Sequence, residues 1–168
     1  MRLFSSRKKW TAAIVGVAVI GTLAAVALAN TGVGFMPTTL VTGNLNSDVK
    51  WNSDRVKFQT KGPTDARVQV INIAPGGVSG WHHHPGIVIV NVASGQVTFT
   101  HSDCSSTTYG PGLPTGAVFV EGGDDPSQAS SAGGATVYAT FVAPHIGAPT
   151  DPPTAATFRT EDDPVSCP

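Results

Sequence analysis

Short runs of β-branched and aromatic residues, each closed by glycine, proline, asparagine or aspartate, dominate the sequence after residue 48. Such residues favour a pleated, half-buried surface, whereas glycine and proline mark the turns between strands. No stretch beyond the N-terminal leader repeats its apolar residues at the 3.6-residue period of an amphipathic helix. The pattern therefore predicts an all-β fold of about eight short strands, as a sandwich or a small barrel.

The predicted strands are separated by turn sequences such as residues 75–77 and 93–95, where glycine can adopt a positive φ. Residues 121–134 contain no large apolar side chain, which predicts a mobile loop. The predicted strands are 49–61 (interrupted at 52–54), 66–73, 80–84, 87–93, 96–101, 106–109, 117–121, 136–143 and 154–159.

Residues 1–29 have the order of a secretory signal: a basic start, an uncharged apolar run over 10–29, and the small-residue ending Ala27-Leu28-Ala29. The apolar run is also just long enough to cross a bilayer. A retained N-terminal apolar helix that anchors the protein to the membrane is thus the alternative to a cleaved signal peptide. Either interpretation predicts a secreted or extracytoplasmic protein, because the basic end stays in the cytoplasm.

The remaining residues are predicted to form one domain. Residues 30–48 are interpreted as a linker with at most one short strand around 39–41, residues 49–146 as the barrel, and residues 147–168 as a Pro-rich tail. Beyond the leader, six Lys and Arg stand against eleven Asp and Glu. This mildly acidic balance, without a basic cluster, argues against nucleic acid as a partner.

Two cysteines, Cys104 and Cys167, both lie in the part predicted to be exported. An even number of cysteines in an oxidising compartment predicts one disulfide. It would tie the C-terminal tail to the barrel and contribute roughly 3–4 kcal/mol in the chain-entropy model.

Three consecutive histidines in the sequence WHHHPG, residues 81–86, are the strongest candidate for a functional site. Side chains alternate between the two faces of a strand, so His82 and His84 are predicted to point into the barrel and His83 away from it. Both inward imidazoles could bind a metal ion or serve as polar groups in a ligand pocket.

Residues 74–99, APGGVSGWHHHPGIVIVNVASGQVTF, resemble the first conserved motif of the cupin superfamily. Gly76, His82, His84 and Gly95 occupy its landmark positions, and the position of its glutamate ligand holds Val88. The leader, the segment 59–65 and the two cysteines also resemble small secreted actinobacterial cupin-domain proteins. The resemblance implies a jelly-roll β-barrel, a metal site of three histidines and one glutamate, and a homodimer formed through the outer strands.

The second cupin motif has no histidine in this chain. One register places Glu121 at its proline and Pro126 at its histidine, and another places Phe119 at the histidine. The family's ligand set is thereby reduced to His82 and His84. We therefore expect a degenerate site.

Asp124 and Asp125, and less directly Gln128 and His101, are the possible substitutes for the missing ligands. Iron, manganese, zinc or nickel are the candidate metals, and no tightly bound ion is expected. The predicted pocket is lined by His82, His84 and Val88, and no catalytic residue is assigned.

These features favour an exported cupin-like barrel that binds a small molecule. Two alternatives remain open. The first is a metal-dependent enzyme of dioxygenase or isomerase type, in which His82 and His84 are metal ligands. The second is an interaction domain at the cell envelope, with the leader retained as an anchor.

Overall fold

A computed structural model describes residues 32–148 and 150–167, and all the regular elements in these ranges are β-strands. The predicted all-β fold class is confirmed. The strands are β1 (Val33–Leu45), β2 (Lys50–Asn52), β3 (Lys57–Gln59), β4 (Thr64–Val78), β5 (His82–Gly95), β6 (Val97–His101), β7 (Ser106–Tyr109), β8 (Val118–Ser131), β9 (Ala135–Pro144) and β10 (Thr160–Glu161).

Four long strands close the main sheet into a barrel. β4 pairs with β9, β9 with β5, β5 with β8, and β8 returns to β4 through residues 77–78 and 130–131, all antiparallel. β1 flanks β4, β6 and β7 extend from β8, and β2 and β3 form a separate hairpin. A sheet that returns to its first strand encloses an interior, so the predicted small barrel is confirmed.

The barrel interior holds one hydrophobic cluster, built mainly from the inward residues of β5, β6 and β9. Its strands show the alternation of a sheet with one buried face, most clearly in β9, where every second residue is buried. The buried members are Ile73, Val88, Val90, Val92, Val97, Phe99, Phe119, Ala135, Val137, Ala139, Phe141, Ala143 and Phe158.

The backbones of β5, β8 and β9 come unusually close immediately after the histidines. A Cβ atom on Gly86 would lie 1.9 Å from the carbonyl oxygen of Val142, and one on Gly122 would lie 2.0 Å from that of Gly86. The β5–β8 register shifts on both sides of His84, which marks β-bulges that bend the strands at this point. Only glycine lets the three strands meet where the histidines enter the interior.

Two strand predictions need correction around this bend. Residues 80–84 and 87–93 were predicted as separate strands but form the single strand β5. The predicted mobile loop 121–134 is largely the second half of β8. Its small polar residues gave no burial signal, because this half of β8 is held by backbone pairing to β5, β6 and β4.

The predicted linker 30–48 is wrong over most of its length, since residues 33–45 form β1. β1 pairs with β4 along its whole length but is exposed on most of its side chains. A sheet-edge strand of this kind lacks the apolar alternation by which strands are recognised. The barrel therefore begins near residue 33 rather than at residue 49.

The C-terminal tail is part of the barrel and not only an appendage. The predicted strand 154–159 is instead a turn, in which the backbone N–H groups of Phe158 and Arg159 donate to the carbonyl of Ala155. Phe158 is 3% exposed and packs in the core, and β10 then pairs with β5. The predicted disulfide between Cys104 and Cys167 is confirmed and holds this tail against the barrel.

The predicted signal peptide or N-terminal helix, residues 1–29, lies outside the described residues. Within the described ranges, no helix has the length and apolar character needed to cross a membrane.

The glycine contacts predict a matched pair of variants. Gly86→Ala should lower the free energy of unfolding by about 2 kcal/mol or more, because its methyl group would overlap the β9 backbone. Gly133→Ala is the control: nothing lies within 4 Å of its added Cβ. Urea denaturation should show a clear loss for the first variant and little change for the second. Equal stabilities would contradict the close approach.

Candidate metal centre

His82 and His84 lie side by side in the barrel interior, 3% and 4% exposed, with ring centroids 4.8 Å apart and ring planes nearly perpendicular. His83 lies between them on the opposite face. Its Nδ1 is 3.0 Å from the carboxylate of Asp162, and about a fifth of its side chain is exposed. The triplet thus delivers two imidazoles to the interior and one to the surface, as strand alternation requires.

Both interior imidazoles present Nε2 to the same space. Nδ1 of His82 lies 2.9 Å from the carbonyl oxygen of Gly80, and Nδ1 of His84 lies 2.5 Å from that of Phe158. Carbonyl oxygens only accept hydrogen bonds, so Nδ1 carries the proton on each ring and Nε2 carries the free lone pair. This is the tautomer of a metal-binding histidine, held by the backbone partners that such ligands usually have.

A carboxylate joins the two imidazoles from the neighbouring strand. Glu121 of β8 pairs with Val88 of β5, and directly opposed residues of an antiparallel pair project from the same face. Oε1 of Glu121 lies 3.5 Å from Nε2 of His84. One ligand atom from each of His82, His84 and Glu121 lies within 4.8 Å of the others, close enough to converge on one ion.

The second oxygen of this carboxylate indicates that the residues fit a cation. Oε2 of Glu121 is buried and has no hydrogen-bond partner among the described residues. Burying a carboxylate oxygen without a partner is costly, and each such case in a folded protein calls for an explanation. A divalent ion bound by Glu121 and the two imidazoles would supply the missing partner.

Sequence reasoning missed Glu121 because the cupin motif places its glutamate on the histidine strand, at position 88. A usable signal was present: Glu121 is the only glutamate between residues 49 and 146. It also lies two residues after Phe119 and therefore on the same face as a core side chain. The alternation of β8 could have identified it.

The other predicted site residues lie elsewhere. Asp124 and Asp125 are exposed and outside the cluster, so their interpretation as substitute ligands is wrong. Asp125 instead accepts a hydrogen bond from the Ser102 hydroxyl. Val88 is 1% exposed and belongs to the hydrophobic core, whereas the cavity is lined by other residues.

A cavity of about 350 Å³ adjoins the three ligands. Its walls are mainly apolar, with Phe35 from β1, Ile71 from β4, Phe141 from β9 and Phe158 from the tail. Arg67 and Gln69 of β4 are among its polar lining residues. The volume and the mixture of apolar walls with a few polar groups are typical of a small-molecule site.

Comparisons with known proteins give likenesses at low identity. No protein-family model and no curated protein matches the chain. Among solved structures, a conserved protein of unknown function from Streptococcus pyogenes, SPY1581, is 18% identical, with 66% of this chain and 75% of that chain covered and a TM-score of 0.46. A protein from Klebsiella pneumoniae with a double-stranded β-helix domain is 22% identical, with 47% and 63% covered and a TM-score of 0.40.

A third similar structure is the salicylate 1,2-dioxygenase of Pseudaminobacter salicylatoxidans. It is 15% identical, with 45% of this chain and 20% of that chain covered and a TM-score of 0.38. The chain thus corresponds to about a fifth of that enzyme's length. With all three TM-scores below 0.5, none of these likenesses bears on the function of this protein.

Burial gives His82 a distinctive titration. Desolvation, reinforced by the charge of Arg159, lowers the pKa of His82 from 6.5 to about 4. Between pH 6.5 and pH 4, the His82 ring of metal-free protein is therefore protonated in the unfolded chain but remains neutral in the folded state. The free energy of unfolding should fall as the pH is lowered through that window, by at most about 3 kcal/mol.

Urea denaturation of metal-free protein at pH 7 and pH 4.5, with an NMR titration of the ring, measures this effect. His82→Gln should remove most of the fall, and His83→Gln, which changes a partly exposed imidazole, should retain it. A His82 ring that titrates near pH 6.5 would contradict the prediction.

Proposed function

We propose that this protein binds one divalent metal ion through His82, His84 and Glu121, and a small molecule in the adjoining cavity. The observation that carries the proposal is the convergence of three ligand atoms within 4.8 Å around a buried carboxylate oxygen that has no partner among the described residues. Two imidazoles and one carboxylate suit iron or manganese, and also accept zinc or nickel.

The sequence favoured a degenerate site without a tightly bound ion, and the position of Glu121 beside the two histidines instead favours a metal site. Two histidines alone would hold an ion weakly, which was the reason to expect a degenerate site. With a buried carboxylate beside them, the ligand set is similar to the facial group of two histidines and one carboxylate found in many metal proteins. The cupin resemblance of residues 74–99 agrees with a metal centre at this place in a barrel.

The surrounding residues prepare the ligands for this role. The carbonyls of Gly80 and Phe158 fix both imidazole tautomers, and the ring of Phe141 packs against His84 with its centroid 5.5 Å away. Three protein ligands would leave a bound ion free to accept a further ligand, and the cavity adjoins all three. A bound ion would act there as a Lewis acid that polarises an oxygen atom of the ligand.

Metal-dependent catalysis, of dioxygenase or isomerase type, is the second candidate function. The lining of the 350 Å³ cavity by all three ligand residues favours it, because a molecule bound there could reach an open coordination position. Turnover that requires added metal and disappears in Glu121→Gln would support this candidate. Metal and ligand binding without turnover would leave the protein a binding module.

The homodimer implied by the cupin resemblance remains a prediction.

We also propose that the protein functions outside the cytoplasm. The disulfide between Cys104 and Cys167 supports this location, since such bonds persist in oxidising compartments. The basic, apolar and small-residue order of the leader agrees with it.

The metal proposal predicts different outcomes for two carboxylates of β8. Glu121→Gln and His84→Ala should each weaken binding of Mn²⁺ or Zn²⁺ by at least about 100-fold, because loss of a ligand exceeds the 10–100-fold cost of losing an outer partner. Asp125→Asn, which neutralises an exposed acid on the same strand, should bind like wild type. Elemental analysis and metal titration of tag-free protein measure these affinities. Stoichiometric metal in Glu121→Gln would refute the centre.

The location proposal predicts that full-length protein expressed with its leader is recovered outside the cytoplasm with the disulfide formed. N-terminal sequencing distinguishes the two forms: a start at Asn30 indicates a cleaved signal, and an intact leader in the membrane fraction indicates an anchor. Recovery of reduced protein in the cytoplasm would contradict the proposal.

A further inference from the structure

The cavity beside the metal ligands is lined by two positive and two negative side chains, of which Arg67 is the one without a direct ionic partner among the described residues. Its lining includes Arg67, Arg159, Glu121 and Glu161 as charged groups, together with the two histidines. Arg159 is paired with Glu161 through two contacts, Nε to Oε1 at 2.6 Å and Nη2 to Oε2 at 2.9 Å. Arg159 also donates to the carbonyl of Ser79. This pair is electrically neutral, and Nε and Nη2 of Arg159 are engaged.

Arg67 is different from Arg159. No carboxylate of the described residues lies within salt-bridge distance of its guanidinium, whose one hydrogen bond in those ranges runs from Nε to the Thr42 hydroxyl at 3.3 Å. The nearest acid on the same strand, Asp65, is engaged with Asn44 at 2.7 Å and with His145 at 3.0 Å. Partial burial lowers the pKa of Arg67 from its usual value, and the charge of Asp65 opposes this effect. An arginine side chain stays protonated in proteins, so the guanidinium is charged and has lost part of its hydration.

A continuous set of contacts connects Arg67 with the metal ligands. The Arg67 guanidinium lies 4.0 Å above the ring of Phe158, and the carbonyl of Phe158 accepts the hydrogen bond of His84. Arg67 also pairs across strands with Phe141, whose ring contacts His84. One small molecule can therefore touch the guanidinium, the aromatic walls and the open side of the ligands together.

The charges of the cavity then specify its ligand. With neutral imidazoles, the negative charge of Glu121 is balanced by Arg67, and a divalent ion adds two positive charges. A partly open, largely apolar cavity that gains positive charge from a bound ion favours an anion, because its apolar walls reduce the screening of charge by water. The planar guanidinium matches a carboxylate, to which it can donate two parallel hydrogen bonds. The aromatic walls require an apolar body.

We propose that the cavity binds a small organic carboxylate with an apolar body, and that Arg67 determines its specificity by binding the carboxylate group. This inference deepens the proposed function and rests on it, since part of the positive charge belongs to the metal ion.

The test compares benzoate with benzamide, which have the same ring and differ in charge, by calorimetric titration of Zn²⁺-loaded protein. Wild type should bind benzoate at least about tenfold more tightly than benzamide, as expected when a charged partner is lost. Arg67→Gln should reduce this preference to within about twofold. Arg67→Lys, which keeps the charge without the bidentate geometry, should restore part of it.

Arg55→Gln is the matched control, because Arg55 is exposed between β2 and β3 and should leave the preference unchanged. Metal content is measured for each variant and should equal that of wild type. Wild-type protein without a preference for benzoate overturns the proposal. A preference for benzoate that persists in Arg67→Gln also overturns the proposal. If that preference is lost only in Glu121→Gln, the metal ion rather than Arg67 binds the carboxylate group.

The two proposals fail differently. If wild-type protein holds no metal but still prefers benzoate through Arg67, the metal centre is refuted and the role of Arg67 stands. If metal binds stoichiometrically and benzoate is not preferred, the metal centre stands and the carboxylate proposal fails.

Discussion

The antiparallel pairing of Val88 with Glu121 is the contact on which the candidate centre depends. It places a carboxylate from β8 on the same face as the two histidines of β5. A shift of one residue in this register would turn Glu121 to the outer surface and leave the imidazoles without an acid. Gly86 and Gly122 hold the register close to the histidines, because their backbones approach within distances that exclude a side chain.

Because the barrel is closed, burying two imidazoles and a carboxylate in its interior costs free energy unless their polar atoms find partners. The three ligands are enclosed by valine, alanine and phenylalanine side chains, where an unpaired charge is costly. The two imidazoles meet this demand by donating from Nδ1 to backbone carbonyls. Glu121 cannot do the same while ionised, since a carboxylate only accepts hydrogen bonds. The unpartnered oxygen atom of Glu121 is therefore the observation that favours a cation over an uncharged ligand at this place.

Sequence patterns predicted those strands that bury every second side chain on one face of the sheet. β6 and most of β9 could be recognised from alternation, and the disulfide from the even number of cysteines in a part of the chain predicted to be exported. β1 and the second half of β8 could not, because backbone pairing rather than apolar burial holds them in the sheet. Glu121 was missed for a related reason: its partners are distant in sequence, and only the strand register shows that they meet.

The hydrogen bond between His84 and the Phe158 carbonyl spans 74 residues and has a consequence for when the centre can exist. During synthesis from the N-terminus, His84 is made 74 residues before Phe158, whose carbonyl fixes the tautomer of the His84 ring. Until the final turn docks, the imidazole is free to rotate and to exchange protons with water. The ligand set is therefore complete only after the turn at residues 155–159 has docked, and a chain cut short before this turn would lack the acceptor that orients His84.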